Sequence, residues 1–225
     1  MVHSLLKLHR FFSPTDLTKL YKAHVLPVLE AQTASVYHAS LTVLDNLDRV
    51  QRLFLRETGF DDEAALLHHN LAPLSARRDM AMLGLLHKCA LGEAPPQLLG
   101  LFPLAPPAQN HPNTRLHARR HHLQLEDKAQ GNHTGVLHRS LFGLVAVYNL
   151  LPPWVVSGTV KTLQTSLQYM LKRMTRQPDW QHSLNRTGLL SLQALRLYTD
   201  TDSWRLPPRP RRSRASPAQR RRRRL

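Results

Sequence analysis

Residues 70–102 read NLAPLSARRDMAMLGLLHKCALGEAPPQLLGLF and carry the strongest helical pattern of the chain. Asn70 favours ending one helix in the left-handed conformation, and Pro73 prevents that helix from continuing. Ser75 is the predicted cap of a new helix, and Gly92 is its predicted end. Inside this helix, apolar residues recur at spacings of three and four, which predicts one buried face. These residues are Met82, Leu85, Leu86 and Cys89.

Similar signals occur on both sides of this stretch. Ser13 followed by proline predicts a helix start, and Pro27 should kink or break the helix that follows. Further helices are predicted at 40–58, at 135–151 and after a cap at Ser157. Aromatic residues make up only 6% of the chain, and runs of β-branched residues are scarce, which argues against a large sheet. The sequence therefore predicts an all-α fold, an irregular bundle of short helices with a disordered basic C-terminal tail.

Composition changes along the chain suggest four regions. A helical region covers 1–102, and a linker rich in proline, histidine and basic residues covers 103–134. A second helical segment covers 135–198. Residues 199–225 are rich in proline, arginine and serine, so we expect an Arg-rich disordered tail there.

The positive charge is concentrated near the C-terminus. The chain has 31 Lys and Arg against 15 Asp and Glu, a net charge of +16. Residues 205–225 hold ten arginines and no acid, so residues 1–204 carry only +6. Such a segment binds polyanions by counterion release, with little sequence preference. Two origins stay open: a nuclear-import or RNA-binding segment, or chance translation of GC-rich DNA. The run itself comprises Arg220, Arg221, Arg222, Arg223 and Arg224.

Two further basic groups are candidate nucleic-acid contacts. One lies on the helix predicted between Ser75 and Gly92. A basic edge of that helix would face a phosphate backbone, although an ordinary solvated helix face explains these residues as well. The other lies in the linker beside several histidines, where a disordered basic loop is the simplest interpretation and a phosphate contact is favoured over a metal. The first group is Arg77, Arg78 and Lys88, and the second is Arg115, Arg119 and Arg120.

Several phrases resemble the helical region that follows the palm in reverse transcriptases of LINE-type (non-LTR) retrotransposons. Members of that family are RNA-directed DNA polymerases that copy their own transcript. The resemblance implies a thumb-like accessory region without the palm, so we expect no polymerase activity and at most weak, non-specific binding of RNA or DNA. The phrases are LTKLYKAHVLPVLE (17–30), LDNLDRVQRLFLRETGF (44–60), LAPLSARRDMAMLGLLHKCALGEAPPQL (71–98), LFP (101–103) and VLHRSLFGLVAVYNLLPPWVV (136–156).

The adjacent acids Asp61 and Asp62 follow an aromatic residue, as do the metal-binding aspartates of reverse transcriptases. Here Gly59 precedes them and EAALL follows, which is typical of a helix N-terminus. Two-metal chemistry also needs a third carboxylate on a neighbouring strand, and the sequence predicts none. A catalytic role for the pair is therefore disfavoured.

No residue is predicted to be catalytic or to bind a cofactor or metal. His68, His69, His87 and Cys89 lack ligand spacing, and one cysteine cannot form a zinc CxxC site. Cys89 is interpreted as a small buried hydrophobe.

The alternative function is a helical scaffold whose exposed apolar stripe binds a protein partner. Neither interpretation involves a small-molecule substrate. No apolar run reaches the ~20 residues of a membrane span, and the N-terminus lacks a signal-peptide core. We therefore expect a nuclear or cytoplasmic location, without secretion. We also expect marginal stability, because apolar surface meant for a missing neighbour would stay exposed.

Overall fold

The computed structural model describes residues 2–106, 121–129 and 140–175. These residues form helices and no strand, which confirms the predicted all-α bundle of short helices. The tail expected at 199–225, and residues 135–139 and 176–198 of the helical segment expected at 135–198, lie outside the described residues. No described helix has the length and apolar character that crossing a membrane requires.

Eleven α-helices lie in the described ranges, joined by a 3₁₀ turn at Lys7–Arg10 and a π-helical turn at Tyr21–Val25. In chain order they are α1 (Val2–Leu6), α2 (Pro14–Leu20), α3 (Leu26–Glu30), α4 (Thr33–Val36), α5 (Leu41–Thr58), α6 (Asp62–His69), α7 (Leu74–Ala90), α8 (Pro96–Leu101), α9 (Leu141–Asn149), α10 (Pro153–Val156) and α11 (Val160–Met174).

Several predicted helix boundaries are confirmed. The Ser13 hydroxyl accepts a hydrogen bond from the Asp16 backbone N–H at 3.2 Å and caps α2. Ser40 caps α5 in the same way. Gly59 and Asn70 end α5 and α6 with φ of 73° and 52°, the left-handed conformation that stops a helix.

Two predicted caps are wrong. Ser75 lies inside α7, which begins at Leu74 directly after Pro73 and has no side-chain cap. The last described helix begins after Thr159, not after Ser157, because the Thr159 hydroxyl accepts a hydrogen bond from the Thr162 backbone N–H. Both predicted caps lie two residues from the observed N-cap positions, because α7 begins without a side-chain cap and Ser157 and Thr159 are both residues that can cap a helix.

The break expected at Pro27 is confirmed in a specific form. The chain widens into the π-helical turn Tyr21–Val25 and then resumes as α3, with Pro27 near its start. The Leu26 backbone N–H bonds to the Tyr21 carbonyl five residues back. Because proline has no backbone N–H, the wider turn accommodates the missing hydrogen bond.

Two apolar clusters form the core. The larger one joins α7 to α9, α10 and α11, and Leu83, Leu86 and Leu163 within it are fully buried. The smaller one joins α1, α2 and α5, where the rings of Tyr21 and Phe54 stack at 4.2 Å. The larger cluster therefore crosses the predicted linker and packs the helices of 1–102 against those of 140–175.

The helices α7 and α11 approach each other closely at Gly84. A Cβ atom added there would lie 3.1 Å from Nε2 of Gln164 and 3.3 Å from Cγ1 of Val160. The absence of a side chain at this position lets the first turns of α11 lie directly on α7.

Part of the region predicted as a linker, 103–134, is described and contains no helix, but it packs against the bundle. Residues 121–129, which we call the strap, pack on the end of α9, and Leu125 is only 1% exposed. The backbone of Leu125 exchanges two 2.8 Å hydrogen bonds with the side-chain amide of Asn149. Leu125 also forms an isolated antiparallel bridge with Leu104. A single buried leucine in a polar stretch produces no periodicity, so the sequence did not indicate this packing.

Candidate functional site

The three candidate basic residues of α7 do not share one solvated edge. The guanidinium of Arg78 donates to both carboxylate oxygens of Asp48, at 2.6 and 2.9 Å, and its side chain is only 9% exposed. Nε of Arg77 donates to the carboxylate of Glu30. Lys88 alone of the three is exposed. The expectation of a solvated basic edge is therefore corrected, because Arg77 and Arg78 form ion pairs with acids of neighbouring helices.

The ion pairs of α5 do not all follow the i,i+4 spacing of its charges. That spacing would pair Asp48 with Arg52, but Asp48 pairs with Arg78 because α5 packs against α7 at this point. Arg52 instead bonds Asp45 at 2.7 Å, while Arg49 is 3.9 Å from the same carboxylate. Pairing within a helix can be read from spacing, whereas pairing between helices cannot.

The acids Asp61 and Asp62 lie at the N-terminus of α6, as predicted. The Asp61 carboxylate accepts the Ala64 backbone N–H at 2.6 Å and caps the helix. Burial, followed by the negative charge of Asp61, raises the pKa of the Asp62 carboxyl. The described part of the chain contains no group of three metal-capable side chains.

Polar groups are also buried at the centre of the larger cluster. His87 is fully buried, with Nδ1 2.8 Å from the Tyr148 hydroxyl and Nε2 2.8 Å from the Gly158 carbonyl. The carbonyl can only accept, so Nε2 carries a hydrogen, and in that tautomer Nδ1 accepts from the hydroxyl. Burial raises the pKa of Tyr148. These hydrogen bonds connect α7, α9 and the turn before α11.

His121 and Cys89 lie beside this network. Nε2 of His121 donates to the Tyr148 carbonyl at 3.0 Å, while its Nδ1 is buried without a partner. Burial lowers the pKa of this imidazole. Cys89 is buried, as predicted, and burial raises the pKa of its thiol. A thiol of this kind is a poor nucleophile.

A cleft of ≈ 420 Å³ opens between α3, α4, α7 and α11. Glu30 and Arg77 line one side, and Lys161, Gln164 and Gln168 of α11 line the other. None of the α11 residues was predicted as functional. Their sequence spacing indicates only the polar face of a helix, and the cleft exists because α11 packs on α7.

The described residues are almost neutral. They include 14 Lys and Arg against 12 Asp and Glu, a net charge of +2 with histidine neutral. All other residues together hold 17 Lys and Arg against 3 Asp and Glu. The candidate residues Arg115, Arg119, Arg120 and the run 220–224 belong to this second group and lie outside the described residues.

Comparisons with known proteins identify no family for this chain. No protein-family model, no curated protein and no solved structure matches the chain.

Proposed function

We propose that this chain is a non-catalytic, accessory helical region of the LINE-type reverse transcriptase kind, and that it binds RNA or DNA weakly and without sequence preference. The arginines of 205–225 supply most of the contact with phosphates. The helical bundle carries this segment and adds little charge of its own. The proposal rests on the resemblance of the helical phrases and on one observation about charge.

That observation is the segregation of charge. The described bundle has a net charge of +2, and two arginines of α7 are held by acids of neighbouring helices. Ten arginines without an acid occupy the last 21 residues. Since affinity for a polyanion depends on the cations free to displace counterions, binding should depend on the C-terminal segment far more than on the bundle.

A salt titration tests this proposal. Binding of a fluorescent single-stranded RNA and a DNA duplex would be measured by anisotropy between 50 and 200 mM salt, conditions over which counterion release changes affinity strongly. The variant with Arg220–Arg224 changed to glutamine should bind both more weakly and show a shallower salt slope. A control variant with Arg49, Arg52 and Arg56 of α5 changed to glutamine removes three charges instead of five, and it should lose far less affinity per charge removed. Equal loss per charge removed in the two variants would contradict the proposal.

A second candidate function is docking of a protein partner. Leu41 and Val43, in the first turns of α5, are 63% and 48% exposed, and Val28 of α3 is 62% exposed. The buried positions of α5 all lie in its second half, from Gln51 onward. Apolar side chains left in solvent favour an interaction surface. Absence of RNA and DNA binding at low salt would favour this candidate over the first.

A further inference from the structure

The turn between α1 and α2 carries two phenylalanine side chains that the bundle does not cover. Phe11 is 80% exposed and Phe12 is 45% exposed, and Phe11 is the most exposed large hydrophobic side chain of the described residues. On either side of the turn, Leu5 of α1 and Leu17 of α2 are buried in the smaller cluster. The chain is therefore anchored to the bundle before and after this point, while the two aromatic rings face solvent.

Backbone hydrogen bonds close this turn. The Leu8 carbonyl accepts the N–H of Phe11 at 2.9 Å and that of Phe12 at 3.2 Å. Residues three apart in a 3₁₀ turn lie on the same side of it. Lys7 and Arg10 therefore project together, and the next such pair, Leu8 and Phe11, forms an apolar strip beside them.

The two cations of the turn are not neutralised by acids. Both are exposed, and neither Lys7 nor Arg10 forms an ion pair within the described residues. Residues 1–15 contain no acid, and the first acid of the chain, Asp16, pairs with Lys19. The turn therefore places two unpaired positive charges next to two exposed rings, unlike α7, whose arginines are held by acids.

Exposed rings beside unpaired cations are typical of proteins that bind single-stranded nucleic acid. Bases stack on an aromatic face whatever their identity, while the cations bind the backbone phosphates. A duplex already stacks its bases on one another, so it offers the rings little. A membrane surface fits less well, because a helix that lies on a membrane presents a long apolar face and this turn spans four residues.

We propose that residues 7–12 form a stacking platform for single-stranded RNA or DNA. Bases stack on Phe11 and Phe12, and Lys7 and Arg10 bind the adjoining phosphates. This inference rests on the proposed nucleic-acid function and deepens it. The arginines of 205–225 attract any polyanion, whereas the turn gives the chain a preference for single strands without a preference for particular bases.

The test measures the affinity of the full chain for a single-stranded RNA and for a duplex of the same length, by anisotropy. The double variant Phe11→Leu, Phe12→Leu keeps apolar side chains and removes the rings. It should bind the single strand at least tenfold more weakly, bind the duplex within about twofold of the original chain, and keep the same salt slope, since stacking releases no counterions. An unchanged ratio of single-strand to duplex affinity would overturn the proposal.

Phe11→Trp tests stacking directly. An indole also stacks on bases, so this variant should retain the affinity for the single strand. Its added fluorescence should be quenched by the single strand and not by the duplex. Equal quenching by both, or quenching by neither, would overturn the proposal. Equal binding of the original chain and the leucine variant to phosphatidylserine vesicles, without a preference for single strands, would assign the turn to a lipid surface instead.

The two cations are tested by the double variant Lys7→Gln, Arg10→Gln. Its salt slope on the single strand should be shallower by about 1.4, because each phosphate contact of a single strand contributes about 0.7. The matched variant Lys19→Gln, Arg49→Gln removes two exposed charges that lie beside acids, and its slope should change far less. Equal changes would show diffuse attraction and overturn the proposal.

The Arg220–Arg224 to glutamine variant separates the platform from the proposed function. It should bind single strand and duplex more weakly by similar factors and keep the preference for the single strand. If this variant loses affinity while the leucine variant loses none, the platform is wrong and the nucleic-acid function stands. If the original chain binds neither RNA nor DNA at low salt, both proposals are wrong.

Discussion

Tyr148 and His87 form the most deeply buried polar pair of the described core. Neither side chain has measurable exposure, and the hydroxyl lies 2.8 Å from Nδ1 of the imidazole. The net contribution of such a hydrogen bond to the free energy of unfolding is modest. Removing one partner, however, leaves the other polar group buried with neither a protein partner nor water to bond.

Tyr148→Phe tests this pair. It should lower the free energy of unfolding by about 2 kcal/mol, because Nδ1 of His87 would be left buried and unbonded. Urea denaturation would measure the change. Tyr169→Phe is the matched control, since that hydroxyl has no hydrogen bond within the described ranges, and its effect should stay below about 0.5 kcal/mol. Equal effects would show that His87 does not depend on the hydroxyl.

The ion pair between Arg78 and Asp48 shows what a sequence leaves open at the residue scale. The i,i+4 spacing of charges along α5 would pair Asp48 with Arg52, and the position of Arg78 on α7 suggested a solvated edge. Both expectations treated each helix alone. The Arg78 side chain is only 9% exposed because α7 packs on α5. This packing joins residues far apart in the sequence, so the local periodicity of either helix does not predict it.

At the scale of elements, the contact of α7 with α11 depends on Gly84. Gly84→Val would place side-chain atoms where Gln164 and Val160 already lie within 3.1 and 3.3 Å of a Cβ position. We expect a loss of about 2 kcal/mol in unfolding free energy, since overpacking outweighs the gain in helix propensity. Thermal denaturation followed by circular dichroism would measure it.

Gly100→Val provides the comparison for Gly84→Val. Gly100 lies in α8 with open space around its Cβ position, so the same substitution meets no atom within 4 Å. It should leave stability unchanged or slightly higher. A larger loss at Gly100 than at Gly84 would mean that the close approach of α7 and α11 does not limit packing.

The strap should be sensitive to pH through His121. Burial holds the pKa of this imidazole below its usual 6.5, so an opened strap takes up a proton before the closed one does. The contribution of His121 to closure is therefore fully present above pH 6.5 and is lost as the pH falls below it. The nearby titratable groups are His122, His87 and Tyr148, and a positive charge on either histidine would add to the effect.

Hydrogen exchange at the Leu125 amide would measure this opening. That N–H bonds to Asn149, and its protection factor, corrected for intrinsic exchange, should fall between pH 7 and pH 5. In His121→Gln, an amide can still donate to the Tyr148 carbonyl but does not titrate, so protection should vary less with pH. The same pH dependence in both proteins would assign the opening to another group.

Signals confined to a few residues predicted the elements well. Ser13, Ser40 and Asp61 cap helices because a side-chain oxygen reaches an N–H two or three residues ahead, which depends on nothing outside the turn. Gly59 and Asn70 end helices for similarly local reasons. The strap and the cleft were not predicted, because both depend on which helices meet.

At the scale of the whole molecule, the two apolar clusters meet around α6 and the start of α7. Ala65 belongs to the smaller cluster and Leu66 to the larger, and Leu71 and Leu74 join the smaller one again. The bundle should therefore unfold as one unit. The expectation of marginal stability remains a prediction, and exposed side chains such as Phe11 (80%) and Val28 (62%) favour it.

Leu167→Ala tests whether the molecule unfolds as one unit. Leu167 is fully buried in α11, so the truncation should cost about 3 kcal/mol, a large fraction of the stability of a marginal domain. If the clusters are coupled, hydrogen-exchange protection should fall equally in α7 and in α5, around Phe54. If α5 keeps its protection while α7 loses it, the smaller cluster is a separate folding unit. Leu41→Ala, at a site 63% exposed, is the control. It should change the opening free energy of neither helix by more than about 0.5 kcal/mol, so a loss of protection common to both helices in Leu167→Ala would come from the core.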